Sequence, residues 1–380
     1  MTAVLDLARA LLAVEPLLSA LPQPVRVRCT DPGTADRLTR LTDLLNLPTL
    51  TPVSDAAGLG PFERVVSEFL NLAVGPPLLH GDDDIAVAEA RRRDFTGRFP
   101  RTDVRTGDGV VLPTYSAGNP DRPAVLIASA CGMPARLAEG WLDRLSRDFF
   151  VLVPETRGLF AAVDGFTGSA DVGAQAEDLL AVLDHFALER AHLLGLCGGA
   201  VVAVVAAARK PDRVSSLSLW HGDFDLGDES SKTDHQRNLQ ALMALAARGR
   251  QQAAAVHAVL ANTMLGVAPP QLAHLVVYPY ATPDLLRLYC QLNGDIMATD
   301  VRPYLAGLTH RTLVVTSEDD HTADPAGSRA VAARLTGAAL HVAPHGDHLS
   351  LFRADPHLVD LAARFIAGDA VPGPQIPAGP

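Results

Sequence analysis

The sequence has few of the residues that build disulfide-rich, zinc-binding or nucleic-acid-binding proteins. Only four cysteines occur in 380 residues, and none are spaced as Cys-x-x-Cys, so neither a disulfide framework nor a structural zinc site is indicated. Basic residues number 32 against 43 acidic ones, whereas binding to phosphate backbones requires a basic surface. We therefore expect no nucleic-acid partner, and we expect free thiols in a reducing cytoplasm.

Long hydrophobic runs are also missing. The longest apolar stretch, Leu193–Ala208, contains 16 residues and three glycines, which is shorter than the ~20 residues that span a bilayer. Charged residues interrupt the leucine pattern near the N-terminus, so no secretory signal is predicted. Aromatic residues make up only 5% of a chain that is 48% hydrophobic. These proportions predict a globular protein with a core of Leu, Val and Ala, and no membrane partner.

Three kinds of pattern divide the chain. Residues 1–100 carry apolar residues at helical spacing between proline-rich breaks, which predicts a helical N-terminal region. Short β-branched runs then alternate with helix-length segments over 101–223 and 311–368, which is typical of an α/β core with a mostly parallel sheet and helices on both faces. The interval 224–310 has helical stripes but no convincing strand, so we predict a helical cap. The Pro/Gly-rich tail 369–380 is predicted to be disordered.

The alternation in the core defines individual elements. Helices are predicted at Val172–Phe186 and Gly198–Arg209. The predicted strands are Val110–Tyr115, Ala124–Ala130, Phe149–Val153, His192–Leu196, Val214–Trp220, Thr312–Thr316 and Leu340–Ala343.

The segment Gly195–Gly199 has the form Gly-x-Cys-x-Gly and lies between a predicted strand and a predicted helix. This arrangement is the nucleophile elbow, a tight turn that holds its central residue in strained backbone angles. Flanking glycines avoid the collisions that side chains would cause, and the helix N-terminus favours an anion. Cys197 is therefore the predicted nucleophile. The alternative is a buried structural cysteine in a glycine-rich turn.

A cysteine nucleophile needs a base and an acid that orients the base, and in this architecture the acid precedes the histidine along the chain. The turn after the strand at 312–316 contains Asp319 and Asp320, of which Asp320 occupies the expected place. Asp223, which follows the strand ending at Trp220, is the alternative acid.

The loop after the last predicted strand supplies candidate bases. It reads Pro-His-Gly-Asp-His, and His348 is the better placed of its two histidines, with His345 second. Cysteine, aspartate and histidine thus occur in the required order, so we predict a Cys197–His348–Asp320 triad.

Acyl chemistry also requires donors for a developing oxyanion. One predicted donor is the backbone N–H of Gly198, directly after the nucleophile. The loop after the strand at 124–130 reads Cys131-Gly132-Met133-Pro134, and the backbone N–H of Met133 is the second predicted donor.

The loop at Gly132, the elbow at 195–199, Asp320 and His348 together resemble the α/β-hydrolase superfamily over residues 102–368. Within it, the cysteine elbow, the helical N-terminal block and the large cap resemble the tetramate-forming Dieckmann cyclases of the nocamycin and tirandamycin type. The resemblance implies a β-ketoacyl-aminoacyl thioester on a carrier protein as substrate and a tetramic acid as product.

Other functions are compatible with the same residues. A Cys-His-Asp thioesterase or a lactone hydrolase similar to dienelactone hydrolases needs the same triad and admits water. A non-catalytic small-molecule binder on a hydrolase scaffold is a further alternative. The basic run Arg91–Arg93 could dock an acidic acyl or peptidyl carrier protein or could be a solvated helix face. No metal-ligand spacing and no nucleotide-binding loop occur, so no metal and no cofactor are expected.

Overall fold

A computed structural model of the chain describes residues 2–73, 81–160, 166–228, 232–263 and 268–369. The chain divides into two compact units. The first comprises Met1–Pro100 and Ala253–Leu286, and the second comprises Arg101–Gln252 and Arg287–Pro380. Among the described residues, no helix is both long and apolar enough to cross a membrane.

The N-terminal part of the first unit contains strands as well as the predicted helices. The strands β1 (Val25–Arg28) and β2 (Leu50–Val53) pair in parallel, which corrects the prediction that this region is helical only. Strand β1 alternates buried valines with exposed arginines, and four residues are too few for this period of two to stand out between helical stripes. The helices are α1 (Thr2–Ala20), α2 (Pro32–Leu45), α3 (Pro61–Ala73), α4 (Asp83–Arg93) and α5 (Phe95–Arg98).

The second unit is built on one sheet, whose first three strands follow one another and whose next three strands each follow a helix. These elements are β3 (Arg101–Arg105), β4 (Val111–Ala117), β5 (Ala124–Ala128), α6 (Glu139–Leu145), β6 (Phe150–Pro154), α7 (Val172–His185), β7 (Ala191–Leu196), α8 (Gly198–Arg209) and β8 (Val214–Trp220).

The interval predicted as a single cap is helical in its described residues apart from an isolated β-bridge between Asp225 and Asp300. It is divided between the two units, because 253–286 belong to the first unit. The reason is the packing of the helix Pro270–Val276, which lies against α1 and α3. This packing brings the ring centroids of His274 and Phe69 to 3.8 Å from each other. The α-helices of the interval are α9 (Asp234–Ala246), α10 (Arg250–Thr263), α11 (Pro270–Val276), α12 (Pro283–Ala298) and α13 (Arg302–Leu305).

The chain then completes the core with β9 (Thr312–Ser317), α14 (Pro325–Arg334), β10 (Ala339–Ala343) and α15 (Pro356–Ala367). The eight strands of the second unit form one sheet in the order β10-β9-β8-β7-β5-β6-β4-β3. Strand β4 pairs antiparallel with β3 and β6, and the other strand pairs of this sheet are parallel. The predicted α/β class with a mostly parallel sheet is therefore confirmed. Residues 370–380 of the tail predicted to be disordered lie outside the described residues.

All of the predicted core strands are present, and each bound is shifted by two residues at most. Strand β3 was not predicted, because its sequence Arg-Thr-Asp-Val-Arg buries a single side chain, Val104. Helix α8 has the predicted bounds, and its residues 198–207 are all buried. A helix that is apolar on every side is packed on every side, so the start of α8 is held rigidly at the centre of the sheet.

Candidate active site

The turn between β7 and α8 has the geometry of a nucleophile elbow. Cys197 adopts φ 56° and ψ −126°, a left-handed φ that costs free energy for any residue with a side chain. A Cβ atom at Gly195 would lie 2.4 Å from Cα of Ala200, and one at Gly199 would lie 2.0 Å from the carbonyl oxygen of Ala128. Only glycine fits at these two positions, so the Gly-x-Cys-x-Gly pattern is a steric requirement of the turn.

The Cys197 side chain is partly exposed, which does not match the alternative of a buried structural cysteine. Its backbone N–H donates to the carbonyl oxygen of Trp220 at 2.9 Å, which ties the elbow to the end of β8. Cys197 also precedes the first residue of α8, where the unpaired N–H groups of the helix favour negative charge. The elbow thus places a partly exposed cysteine at the N-terminus of α8.

The predicted acid and base lie next to each other. His348 Nδ1 lies 2.9 Å from Asp320 Oδ2, and the Asp320 side chain is completely buried. The other carboxylate oxygen, Oδ1, accepts backbone N–H groups of Thr322 and Ala323, both at 2.9 Å. The turn after β9 therefore fixes the carboxylate, and the carboxylate fixes the imidazole ring.

Packing on the far side holds the segment that carries His348. This residue begins a short 3-10 helix, His348–Arg353, and the indole N–H of Trp141 donates to the carbonyl oxygen of Leu351 within it at 2.8 Å. The hydroxyl of Ser317, at the end of β9, donates to the carbonyl oxygen of Gly346. The His348 Nε2 atom is buried and has no hydrogen-bond partner among the described residues.

Electrostatic interactions connect the three predicted triad residues. Burial alone would lower the pKa of His348, but the charge of Cys197, a hydrogen bond with Asp320 and the charge of Asp320 outweigh it and raise that pKa well above its usual value. Burial likewise opposes ionisation of Asp320, yet hydrogen bonds from His221 and His348 hold its pKa well below its usual value. The arrangement favours the protonated form of His348 next to the Asp320 carboxylate.

The alternative residues from the sequence lie elsewhere. His345 and Asp319 pair with each other on the surface, with Nδ1 and Oδ2 3.2 Å apart. Asp223 accepts a hydrogen bond from the side-chain amide of Gln236, and His348 affects the pKa of Asp223 only through its charge. Burial raises the pKa of Asp223. The geometry therefore favours Asp320 over Asp223 as the partner of His348.

A second histidine, which the sequence patterns did not single out, shares the carboxylate. His221 Nδ1 lies 2.8 Å from Asp320 Oδ2, the same oxygen that His348 approaches, and both side chains of this pair are buried. His221 follows β8 directly, has a left-handed φ of 48° and donates its backbone N–H to the carbonyl oxygen of Val315. The sequence signal that could have identified His221 is its position as a polar residue directly after a predicted central strand.

Replacing His221 with phenylalanine should remove this hydrogen bond while keeping a ring in place. We expect the free energy of unfolding near pH 7 to fall by about 2 kcal/mol, the range for a buried hydrogen bond to a charged group. A carboxyl with a lowered folded-state pKa stabilises the fold above its unfolded pKa, and this contribution is lost as the pH falls. The deficit should therefore shrink below about pH 4.

Urea unfolding of the two proteins at several pH values measures this deficit. The control is His345→Phe, which removes the exposed pair with Asp319 and should cost about 0.5 kcal/mol or less. A His221 variant as stable as the wild type at pH 7 would contradict the assignment.

Among the described residues, the side chains of His221, Asp320 and His348 also offer potential metal-ligand atoms within 4.8 Å of one another. Both imidazoles, however, are already hydrogen-bonded to the same carboxylate oxygen. These two hydrogen bonds account for the close approach of the three groups, and the expectation of no metal and no cofactor stays a prediction.

The loop that was predicted to supply oxyanion donors is held by the strand next to it. Gly132 has a φ of 76° and donates its N–H to Thr156 Oγ1 at 2.9 Å. The N–H of Met133, predicted to face the oxyanion, donates instead to the carbonyl oxygen of Ala130 at 3.2 Å. This corrects the prediction, because a tight turn within the loop takes up the amide. Gly198, the first residue of α8, has no intrahelical acceptor for its N–H.

A buried carboxyl supports the same loop. Glu155 Oε2 accepts the backbone N–H of Ala135 at 2.8 Å. Burial raises the pKa of Glu155 to about 8, although that hydrogen bond and the charges of Arg101 and Arg136 oppose the shift. Glu155 is therefore largely protonated in the folded protein near neutral pH.

Glu155→Gln is expected to change how stability depends on pH. A carboxyl whose pKa is raised by folding stabilises the fold below its unfolded pKa of about 4.3, and this contribution is lost as the pH rises towards its folded value. The wild type should therefore lose roughly 3 to 4 kcal/mol more than the variant between about pH 5 and pH 8. Denaturant titrations at both pH values measure this, and equal losses would show that Glu155 is ionised in the folded state.

Comparison with known proteins agrees with this fold. The family model described as alpha/beta hydrolase fold matches residues 131–355, which include the elbow, Asp320 and His348. The chain belongs to the α/β-hydrolase family. The match begins after residues 1–100, the N-terminal part of the first unit.

Curated relatives of this α/β-hydrolase carry the name carbamate hydrolase RutD. One, from Caulobacter sp. (strain K31), is 24% identical over 269 residues, covering 70% of this chain and 98% of the relative. Another, from Pseudomonas syringae pv. syringae (strain B728a), is 25% identical over 239 residues, covering 62% and 90%. These relatives support an enzyme of the hydrolase type.

Solved structures show the same fold. An enol-lactonase from Burkholderia xenovorans LB400 is 22% identical with a TM-score of 0.56, covering 70% of this chain and 100% of that chain. A hydrolase from Pseudomonas aeruginosa PA01 is 23% identical with a TM-score of 0.56, covering 71% and 98%. At these identities the likeness concerns the fold alone.

Proposed function

We propose that this protein is a cysteine-dependent acyl hydrolase that acts on thioesters or lactones through an acyl-enzyme on Cys197. The observation that carries the proposal is the assembly of a partly exposed thiol at a strained elbow with a buried His348–Asp320 pair. A scaffold that only binds ligands has no need of this arrangement. The names of the relatives and of the structural neighbours favour hydrolysis as the outcome.

The first step of the reaction is attack by sulfur. A free thiol is only a few per cent ionised near neutral pH, so it needs a base to become an effective nucleophile. In the proposal, His348 Nε2 takes the proton of Cys197, and Asp320 stabilises the imidazolium that forms. The thiolate then adds to the acyl carbonyl carbon, and the N–H of Gly198 stabilises the oxyanion. Collapse expels the thiol or alcohol of the substrate, which receives the proton from His348.

Release of the acyl group uses the same residues in reverse. His348 removes a proton from a water molecule, the hydroxide adds to the thioester carbonyl, and collapse expels the Cys197 sulfur, which is protonated again by His348. The products are a carboxylic acid and the free enzyme. No further group is required for the balance of atoms and charges.

A Dieckmann-type cyclase is the second candidate, and the observation that favours it is the cysteine itself. An acyl thioester is electrophilic towards carbon, so a β-ketoacyl-aminoacyl group on Cys197 could close a ring. His348 would remove a proton from the carbon between two carbonyls, the enolate would attack the thioester carbonyl, and Cys197 would leave. The product would be a tetramic acid. The proteins named in the comparisons give this candidate no support.

Incubation with a synthetic β-ketoacyl-aminoacyl thioester separates the two candidates. Free acid as the sole product, identified by mass spectrometry, is the result expected for the hydrolase. A product lighter than the acid by one water and absent without enzyme would favour the cyclase. If neither product forms and iodoacetamide fails to alkylate Cys197, the protein is a binder on a hydrolase scaffold.

Docking of a carrier protein by Arg91–Arg93 is a weaker proposal. Arg92 and Arg93 pair with Glu89 on the same helix, and Arg91 donates to the carbonyl oxygen of Leu44. These contacts are those of a solvated helix face. Reversing the three charges should therefore slow turnover of carrier-bound and small thioesters equally, and a selective loss with the carrier-bound substrate would establish docking.

A further inference from the structure

Helix α12 lies against both loops that flank the reacting atoms. A Cβ atom on Gly132 would lie 2.5 Å from Cδ2 of Tyr289, and a Cβ atom on Gly198 would lie 3.2 Å from Oδ1 of Asn293. Tyr289 and Asn293 are four residues apart and therefore share one face of the helix. The absence of side chains on the two glycines lets this face approach the elbow, and it brings a polar atom next to the residue that follows Cys197.

Asn293 has an unused hydrogen-bond acceptor in that position. The residue is only 9% exposed, and its side-chain amide nitrogen donates to the hydroxyl of Tyr289 at 3.3 Å and to Sδ of Met243 at 3.6 Å. None of the described residues donates a hydrogen bond to Oδ1. Oδ1 therefore keeps its acceptor capacity for a ligand, and a ligand that supplies an N–H or O–H at this point gains a hydrogen bond.

The neutral side chain of Asn293 and its apolar neighbours favour one kind of hydrogen-bond donor on the ligand. The side chain of Ile296 lies 3.3 Å from the same Cβ position on Gly198, and Met243 contacts the amide of Asn293. An ammonium group would lose its hydration against these apolar side chains without gaining a carboxylate, because Asn293 is neutral. A neutral amide N–H satisfies Oδ1 without this cost.

We propose that Asn293 is a specificity-determining residue whose Oδ1 accepts an amide N–H of the acyl group on Cys197. The site would then select acyl donors that carry a secondary amide on the carbon next to the reacting carbonyl. The Gly198 N–H would bind the carbonyl oxygen while Asn293 binds the neighbouring N–H, so the two contacts orient the acyl group together. This inference rests on acylation of Cys197, and it holds whether water or carbon attacks the acyl-enzyme.

The test compares two thioesters of the same thiol, N-acetylglycyl and acetoxyacetyl, which differ by an N–H in place of an oxygen. The rate of acylation of Cys197 is measured by quenched-flow mass spectrometry of the intact protein. Each rate is divided by the rate of the same thioester with N-acetylcysteine, which removes the difference in intrinsic reactivity. The wild type should prefer the amide by about tenfold or more, the effect of one hydrogen bond whose loss leaves an unpaired acceptor.

Variants at two neighbouring positions separate this contact from packing. In Asn293→Leu, and in Asn293→Ala should the leucine variant not fold, the normalised preference should fall to about one. The control is Ile296→Val, which alters the apolar contact with Gly198 and should keep the preference. A wild-type preference near one, or a preference retained without Asn293, would overturn the inference and leave the acyl-enzyme intact. Failure of both thioesters to acylate Cys197 would instead overturn the proposed function, and the inference with it.

Discussion

Replacing Cys197 with alanine should lower kcat/KM for a reactive thioester by about three to six orders of magnitude, the range found when a nucleophile is removed from a triad. The reason is that the remaining site can polarise the carbonyl but cannot form the acyl-enzyme. Cys197→Ser should retain some activity, yet its oxygen ester is a poorer electrophile and its hydroxyl a weaker acid than the thiol. Steady-state release of the thiol product measures both variants.

Another cysteine provides the matched control for that prediction. Cys290 is buried on α12, and burial raises the pKa of its thiol to about 12, so it stays protonated. Cys290→Ala should keep activity within about tenfold while costing stability by loss of core packing. If Cys197→Ala kept more than about a tenth of the wild-type kcat/KM, the sulfur would not be the nucleophile, since loss of a nucleophile costs far more.

The second large effect is expected at Asp320. Asp320→Asn should lower kcat/KM by about two to four orders of magnitude, because an amide can donate to His348 Nδ1 and so stabilise the wrong tautomer of the ring. It also removes the charge that favours the imidazolium. The amide oxygen can still accept hydrogen bonds from the two backbone N–H groups that donate to Oδ1 in the wild type. The loop should therefore hold its shape.

Asp223→Asn is the matched variant for this prediction. Asp223 bonds Gln236 and does not touch His348, so its replacement should reduce kcat/KM by about tenfold or less, the scale of an indirect electrostatic effect. Measuring kcat/KM of both variants with the same thioester decides whether Asp320 or Asp223 orients His348. A larger loss at Asp223 than at Asp320 would reverse the assignment and place the orienting acid at the end of β8.

Much of the site was predictable because local sterics dictate it. The glycines at 195 and 199 are required by collisions of 2.4 and 2.0 Å, and such a requirement is visible in a single sequence as a pattern between a strand and a helix. The order of acid and histidine follows from the topology, because residues after consecutive parallel strands meet at one edge of the sheet. Cys197, Asp320 and His348 were identifiable on these grounds.

Other features depended on contacts that a sequence does not display. His221 has no motif of its own, and its pairing with Asp320 joins residues that are 99 positions apart. The amide of Met133 was expected to be free, but a turn within its loop takes it up. The helix α11 lies in the predicted cap, yet its apolar face packs on α1 and α3. In each case the decisive partner is distant in sequence or is a backbone atom.

The most direct test of the account is to locate the acyl group. The protein is mixed with a thioester substrate, quenched in acid within the first turnovers, digested and analysed by mass spectrometry. We expect the acyl mass on the peptide that contains Cys197, no such adduct in Cys197→Ala, and slower formation in His348→Gln. Full turnover without an adduct on Cys197, or an adduct on another residue that persists in Cys197→Ala, would contradict the central role of this sulfur.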